Sequence, residues 1–159
     1  AYLKALDYLA RRDYAEAELR KKLALKGFSA DQIHQAITRI RSLGYINDRN
    51  FAENWIRDRC EFNPRGSQML RYELKLKGVQ ESVIEDSLAA VDDERAAFAC
   101  AERYARRLAG LDWMTFRNRL SGYLARRGFP YDVIREVARA VWDSSRNSDE
   151  AETYDEIGL

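Results

Sequence analysis

The sequence predicts an all-α fold: three tandem three-helix repeats forming an elongated, curved helical array. Two observations lead to it. A glycine-ended helical segment recurs at Gly27, Gly78 and Gly128, 51 and 50 residues apart. Around these segments apolar residues return at spacings of three and four, the period of a helix with one buried face. With only two prolines and eight glycines in 159 residues, the chain has too few breakers for a turn-rich β-architecture.

The recurring segments are Leu19 to Phe28, Leu70 to Val79 and Leu120 to Phe129. In each, two leucines four apart stack on one helix face, and the second leads the glycine by four. A base (Lys26, Lys77, Arg127) precedes the glycine, where the negative helix end favours it. The glycine supplies the left-handed C′ residue, and Phe28, Val79 or Phe129 closes back on the last turn as in a Schellman motif.

One helix precedes each segment and one follows it. The preceding stripes are Leu3, Leu6, Leu9 and Ala10; Phe51, Ala52, Trp55 and Ile56; and Ala97, Cys100, Ala101, Tyr104 and Leu108. The following stripes begin at Ile33, Val83 and Val133 and continue at the spacings of three and four that fit a buried helix face. Asp13 with Glu16 reads as a capping box for the first middle helix, Asn63-Pro64 as a cap with an N1 proline for the second, and Asp112 as the cap of the third. Ser29 with Gln32 reads as a further capping box.

The repeats are expected over 1–46, 47–92 and 93–142, with a flexible acidic tail over 143–159. Units of this size have little core alone, so neighbours are expected to stack. The second middle helix carries an extra apolar stripe, Met69, Tyr72 and Leu76, which predicts burial against an adjoining repeat, with an exposed partner patch as the alternative. Tyr154 and Ile157 offer an anchor by which the tail could dock on a basic face.

Charge falls in blocks. Residues 1–80 sum to +6, 81–94 to −6, 95–142 to +6 and 143–159 to −5, giving a net charge of +1. Basic faces of this kind suit a polyanion or an acidic protein groove, or are simply a solvated surface.

Much chemistry is excluded. One histidine, His34, and two cysteines, Cys60 and Cys100, cannot make a Cys/His zinc site, and free, mostly buried thiols are expected. No phosphate-binding loop, dinucleotide fingerprint or nucleophile elbow occurs. Asp92, Asp93 and Glu94 read as helix N-terminal charges rather than a metal site. Trp113 and Tyr123 read as core aromatics rather than base-stacking platforms. No apolar run is long enough to span a bilayer, and no signal peptide is expected. The expectation is a protein without catalytic residues, cofactor or metal.

Over residues 3–142 the chain resembles the RecX family of bacterial RecA regulators. The resemblance rests on Leu43-Gly44-Tyr45-Ile46-Asn47-Asp48 followed by Phe51-Ala52, on Pro64-Arg65-Gly66, and on the run from Leu70 to Val79. The first repeat adds Glu16 to Leu23 and Lys26-Gly27-Phe28. The chain departs from it at Asn63-Pro64, where another base is expected, and in the acidic tail. The resemblance implies a cytoplasmic, non-enzymatic protein that binds in the groove of the RecA–DNA filament. It implies inhibition of filament growth, strand exchange and ATP hydrolysis, in homologous recombination, DNA repair and the SOS response. A monomer is expected, with single- or double-stranded DNA as a further partner. The alternative is a sequence-nonspecific nucleic-acid-binding helical module that acts by competing for DNA.

The candidate partner- or DNA-binding residues are the bases of the glycine-ended helices and of the loop before the second. They are Arg20, Lys21, Lys22 and Lys26; Arg65, Arg71, Lys75 and Lys77; and Arg117, Arg119, Arg126 and Arg127. Helix capping alone accounts for Lys26, Lys77 and Arg127.

Overall fold

Each of the three aligned glycines takes the left-handed conformation, with φ of 85°, 80° and 82° at Gly27, Gly78 and Gly128. The two Schellman hydrogen bonds form each time. In the second repeat Val79 N–H donates to Leu74 O at 3.2 Å and Gly78 N–H to Lys75 O at 2.9 Å. The same bond pair closes at Gly27 and Gly128.

These turns organise a computed structural model that describes the backbone of residues 1–157 and the side chains of residues 1–146. The described residues form α-helices and one 3-10 turn, without strands. The first triplet is α1 (Tyr2–Leu9), α2 (Glu16–Leu25) and α3 (Ala30–Ser42). The second is α4 (Asp48–Phe62), α5 (Ser67–Leu76) and α6 (Glu81–Leu88). The third is α7 (Asp93–Ala105), the turn Arg106–Leu108, α8 (Trp113–Arg126) and α9 (Tyr131–Ile157). This is the expected all-α tandem-repeat architecture. The helix α9 runs into the segment expected as a tail, while the Tyr154 and Ile157 side chains invoked for its docking lie outside the described residues.

The chain folds as two compact units. The first comprises Ala1–Arg59 and Arg71–Val91; the second comprises Cys60–Leu70 and the chain from Asp92 onward. In the first, Leu19 and Leu23 of α2 are fully buried against Ile33, Ile37 and Ile40 of α3 and Ala5 of α1. Phe51, Ala52, Ile56, Leu74, Val79, Ile84 and Leu88 supply the buried positions of α4 to α6 in that unit. In the second, Phe116, Leu120 and Leu124 of α8 pack on Ala97, Cys100 and Ala101 of α7 and on Val133, Ile134, Val137 and Val141 of α9. Trp113 joins this core beside Trp142, with ring centroids 5.5 Å apart, and Tyr123 stacks on Tyr104 at 4.1 Å, so both aromatics pack as expected.

Two of the glycines also allow close approach. A Cβ on Gly78 would collide with the Ala17 Cβ, in the first turn of α2. A Cβ on Gly128 would lie 2.5 Å from the Met69 backbone nitrogen of α5. Beside it, Gly66 N–H donates to Arg127 O at 2.9 Å, and a Cβ on Gly66 would collide with Gly128 O.

Several capping expectations hold. Ser29 and Gln32 form the capping box of α3, Asp112 caps α8 and Asp92 caps α7. Two do not. The residue before α2 is Ala15, without a side-chain cap, so Asp13 and Glu16 form no box there. Instead Glu16 N–H donates to Asp48 Oδ1 at 2.8 Å. Likewise α5 starts at Ser67, after Asn63-Pro64, and Ser67 N–H donates to Asp93 Oδ1 at 2.8 Å. In both, the first acid of a following helix caps a middle helix across tertiary space, which satisfies an otherwise orphan donor.

Three burial expectations are corrected. Leu3 and Ala10 are exposed, and Ala5 is the fully buried residue of α1, because the helix lays its Ala5 side on the core. Tyr72 and Leu76 are 59% and 69% exposed, so the second stripe of α5 is solvent-facing there, and Met69 alone is half-buried. Cys100 is buried, but Cys60, near the C-terminal end of α4, is exposed.

Candidate partner-binding surface

Basic side chains can serve a partner only if the fold has not already neutralised them. In the first unit, acids claim most of the predicted ones. Arg20 Nε donates to Glu16 Oε1 at 2.9 Å, and Glu16 Oε2 takes Arg41 Nε at 3.0 Å. Burial pushes the Glu16 carboxyl up, but the Arg41 and Arg20 hydrogen bonds outweigh it and hold the group below the usual glutamate range. Glu18 bridges Arg12 at 2.6 Å and Lys77 at 3.3 Å, and is likewise held low against its own desolvation. Arg71 grips Glu85 with two bonds of 2.7 and 3.1 Å, and Lys75 meets Glu81 at 2.8 Å. The Lys22 ammonium lies 5.5 Å from the Tyr8 ring and 5.7 Å from the Tyr14 ring, within cation–π reach.

Lys21 and Lys26 differ. Both are exposed on or just past α2, and neither has an ion-pair partner among the described residues.

In the second unit Arg127 is structural: its Nη1 donates to Asn63 Oδ1 at 2.7 Å and to Pro64 O at 3.1 Å, while its guanidinium lies 4.8 Å from the Tyr123 ring. This fixes the loop ahead of α5 and gives Asn63-Pro64 a role other than capping. Arg65 is half-buried in the same loop and is engaged.

By contrast Arg117, Arg119 and Arg126 are exposed on α8 with no carboxylate in ion-pair range among the described residues. Arg119, Gly122 and Arg126 occupy positions i, i+3 and i+7 of one helix face. Arg126 Nη1 would lie 3.3 Å from a Cβ at Gly122, so the guanidinium rests over the glycine. The same condition holds for Arg103, Arg106 and Arg107 at the end of α7 and in the turn after it, which are not among the bases predicted from the sequence. Their run, Arg103-Tyr104-Ala105-Arg106-Arg107, is visible as part of the basic block over 95–142, but it lies off the glycine-ended helices.

No group of three or more metal-capable side chains converges, and no helix is long and apolar enough to cross a membrane, among the described residues. What the surface offers is positive charge on α8 and the end of α7, with two lysines at α2.

The three helical triplets match three domains in succession: the first, second and third three-helix domains of RecX, at residues 1–39, 47–88 and 92–138. The chain belongs to the RecX family. A "Regulatory protein RecX" of Prosthecochloris aestuarii is 35% identical over 134 residues, covering 84% of this chain and 88% of the relative. One of Chlorobium phaeobacteroides is 34% identical over 140 residues, covering 88% and 92%. The crystal structure of RecX from Lactobacillus salivarius superposes with a TM-score of 0.81 at 26% identity, covering 88% of this chain and 93% of that one. RecX-family relatives are thus named as regulatory proteins, and this chain shares their helical-repeat fold. In RecX terms, the bases divide by domain. Those of the second domain's glycine-ended helix, Arg71, Lys75 and Lys77, are held by acids, whereas Arg117, Arg119 and Arg126 of the third domain stand clear of any among the described residues.

Proposed function

We propose that this chain is a non-enzymatic regulator, mainly an inhibitor, of the RecA recombinase, and that it acts as a cytoplasmic monomer bound in the groove of the RecA–DNA filament. The observation that supports this best is the set Arg117, Arg119 and Arg126 on α8, exposed and with no carboxylate in ion-pair range among the described residues. Charges left without internal partners cost little to bring against an acidic groove or DNA phosphate and speed encounter with it. Tyr72 and Leu76, exposed one turn apart on α5, add an apolar contact that phosphate binding alone would not use.

A second reading rests on the same arginines: a nucleic-acid-binding module that blocks recombination by competing for DNA. It treats the exposed Tyr72 and Leu76 as incidental.

The deciding experiment is inhibition of RecA-dependent ATP hydrolysis and strand exchange by the chain and two variants. Replacing Arg117, Arg119 and Arg126 with serine is expected to raise the half-inhibitory concentration at least about tenfold with folding intact. Replacing Tyr72 and Leu76 with serine is expected to weaken inhibition without weakening binding to bare DNA. Full inhibition by both variants would overturn the regulator reading as placed on these surfaces.

A further inference from the structure

We infer that the second unit holds a binding site for a nucleoside phosphate, in a cavity between the end of α7, the Arg106–Leu108 turn, α8 and α9. The inference does not rest on the recombinase reading. The cavity measures about 600 Å³, within the range of small-molecule sites. Its floor is apolar: Leu108, Phe116 and Val141 line it and are themselves buried. Trp142 forms a wall, half-buried and wedged against Phe116 with ring centroids 5.0 Å apart at 56°. The contacts with Phe116 and with Trp113, 5.5 Å away, fix the indole, and the part of it that lines the cavity gives a flat ring something to pack against.

Two arginines from different elements, Arg106 and Arg146, reach the same cavity. Neither has a carboxylate in ion-pair range among the described residues; the Arg146 guanidinium sits 5.8 Å from the Trp142 ring centroid. Two guanidiniums against the one carboxylate of the lining leave the concavity net positive among the described residues, which favours an anion there, and their planar donor forks suit phosphate oxygens. Glu102 is the carboxylate of the lining and makes no ion pair with Arg106, one turn on. A carboxylate accepts from a ribose hydroxyl or an exocyclic amine. The lining hydroxyls are already committed to backbone: Ser144 Oγ donates to Ala140 O and Ser145 Oγ to Trp142 O.

The site therefore complements a ligand with a flat ring, a hydrogen-bond donor and an anionic end. A nucleoside phosphate carries all three. Inorganic phosphate lacks the ring, and a fatty acid lacks both ring and donor.

Such a ligand comes from two sources, a free nucleotide or a nucleotide within a strand. The full chain, without recombinase, is titrated with ATP, with dAMP, with a short single-stranded oligonucleotide and with inorganic phosphate, following tryptophan fluorescence. The expected result is a saturable change with a nucleoside phosphate and none with inorganic phosphate. The double variant Arg106→Ala/Arg146→Ala is expected to weaken that binding at least about tenfold with an unchanged melting midpoint, both side chains being exposed. Trp142→Phe is expected to abolish most of the signal while equilibrium dialysis still detects the ligand. Saturation by the mononucleotides assigns the free source; saturation by the oligonucleotide alone assigns the strand. No saturable change in any arm, an equal response to inorganic phosphate, or full binding by the double variant would overturn the site. Because no recombinase is present, failure here leaves the regulator reading untouched, and the reverse holds as well.

Discussion

The Asp48 carboxylate accepts the Glu16 backbone N–H at 2.8 Å from 32 residues further along the chain, and so caps α2 from the start of α4. Asp93 does the same for Ser67 at the start of α5. These contacts tie the opening of each middle helix to the opening of a later helix within the same unit. Loss of an N-cap acceptor costs about 1 kcal/mol. Asp48→Ala and Asp93→Ala are each expected to lower the urea midpoint by that equivalent, with Asp48→Asn, which keeps an acceptor oxygen, losing less. An Asp13→Ala control is expected to stay near wild type, since Asp13 caps nothing at α2.

The carboxylates around that cap titrate in opposite senses. Burial pushes Asp48 up; its bond from Glu16 N–H counters this, the Glu16 charge reinforces it and Arg41 opposes it, for a net rise. A raised folded value means the native state holds the proton more tightly. Stability from Asp48 therefore grows as pH falls through its folded value toward the ordinary aspartate value of roughly 3.9. Glu16 and Glu18 are held low, so their stabilisation is complete above roughly pH 4.3 and is lost as pH falls through their folded values. In urea melts from pH 7 to 3, Glu16→Gln is expected to be most destabilised relative to wild type at pH 7, the gap closing below about pH 4. Asp48→Asn is expected to compare best with wild type at pH 7 and less well as acid is added. Parallel pH curves for all three proteins would contradict this assignment of charges.

The aligned glycines separate backbone strain from steric fit. Gly27 is left-handed, and a Cβ added there would meet nothing within 4 Å, so Gly27→Ala should lose only the conformational term, roughly 1–2 kcal/mol. Gly78→Ala adds a collision with the Ala17 methyl, and Gly128→Ala adds one with the Met69 backbone, which cannot swing aside. The expected order of destabilisation in chemical melts is Gly27, then Gly78, then Gly128. Equal losses at all three would mean that the close approaches carry no weight.

The glycine-ended helices mark how far local pattern reaches. The leucine pair, the base, the left-handed glycine and the closing apolar residue are neighbours in sequence, so Leu19 to Phe28 and its two counterparts are legible from spacing alone. The Ser29–Gln32 box and the Asp112 cap are legible for the same reason. Asp48 and Asp93 are not, because their partners are distant in sequence and an acid opening a helix reads equally well as a first-turn charge. The two-faced pattern of α5 is visible, but periodicity does not say which face finds a neighbour, and Tyr72 and Leu76 prove exposed. The candidate bases are legible as residue types only. Which of them the fold neutralises depends on tertiary pairs such as Lys77 with Glu18, 59 residues apart.

The most direct test of the regulator reading compares the chain's binding to a preassembled RecA–ATP–DNA filament with its binding to single-stranded DNA alone, each across a salt series. Phosphate binding to single strands falls on log–log axes with a slope of roughly −0.7 per phosphate neutralised, whereas an interface with apolar anchors is less sensitive. The expected result is filament binding that persists at physiological salt while bare-DNA binding collapses. Equal affinities with equal salt slopes would contradict the regulator reading and leave a module that competes for DNA.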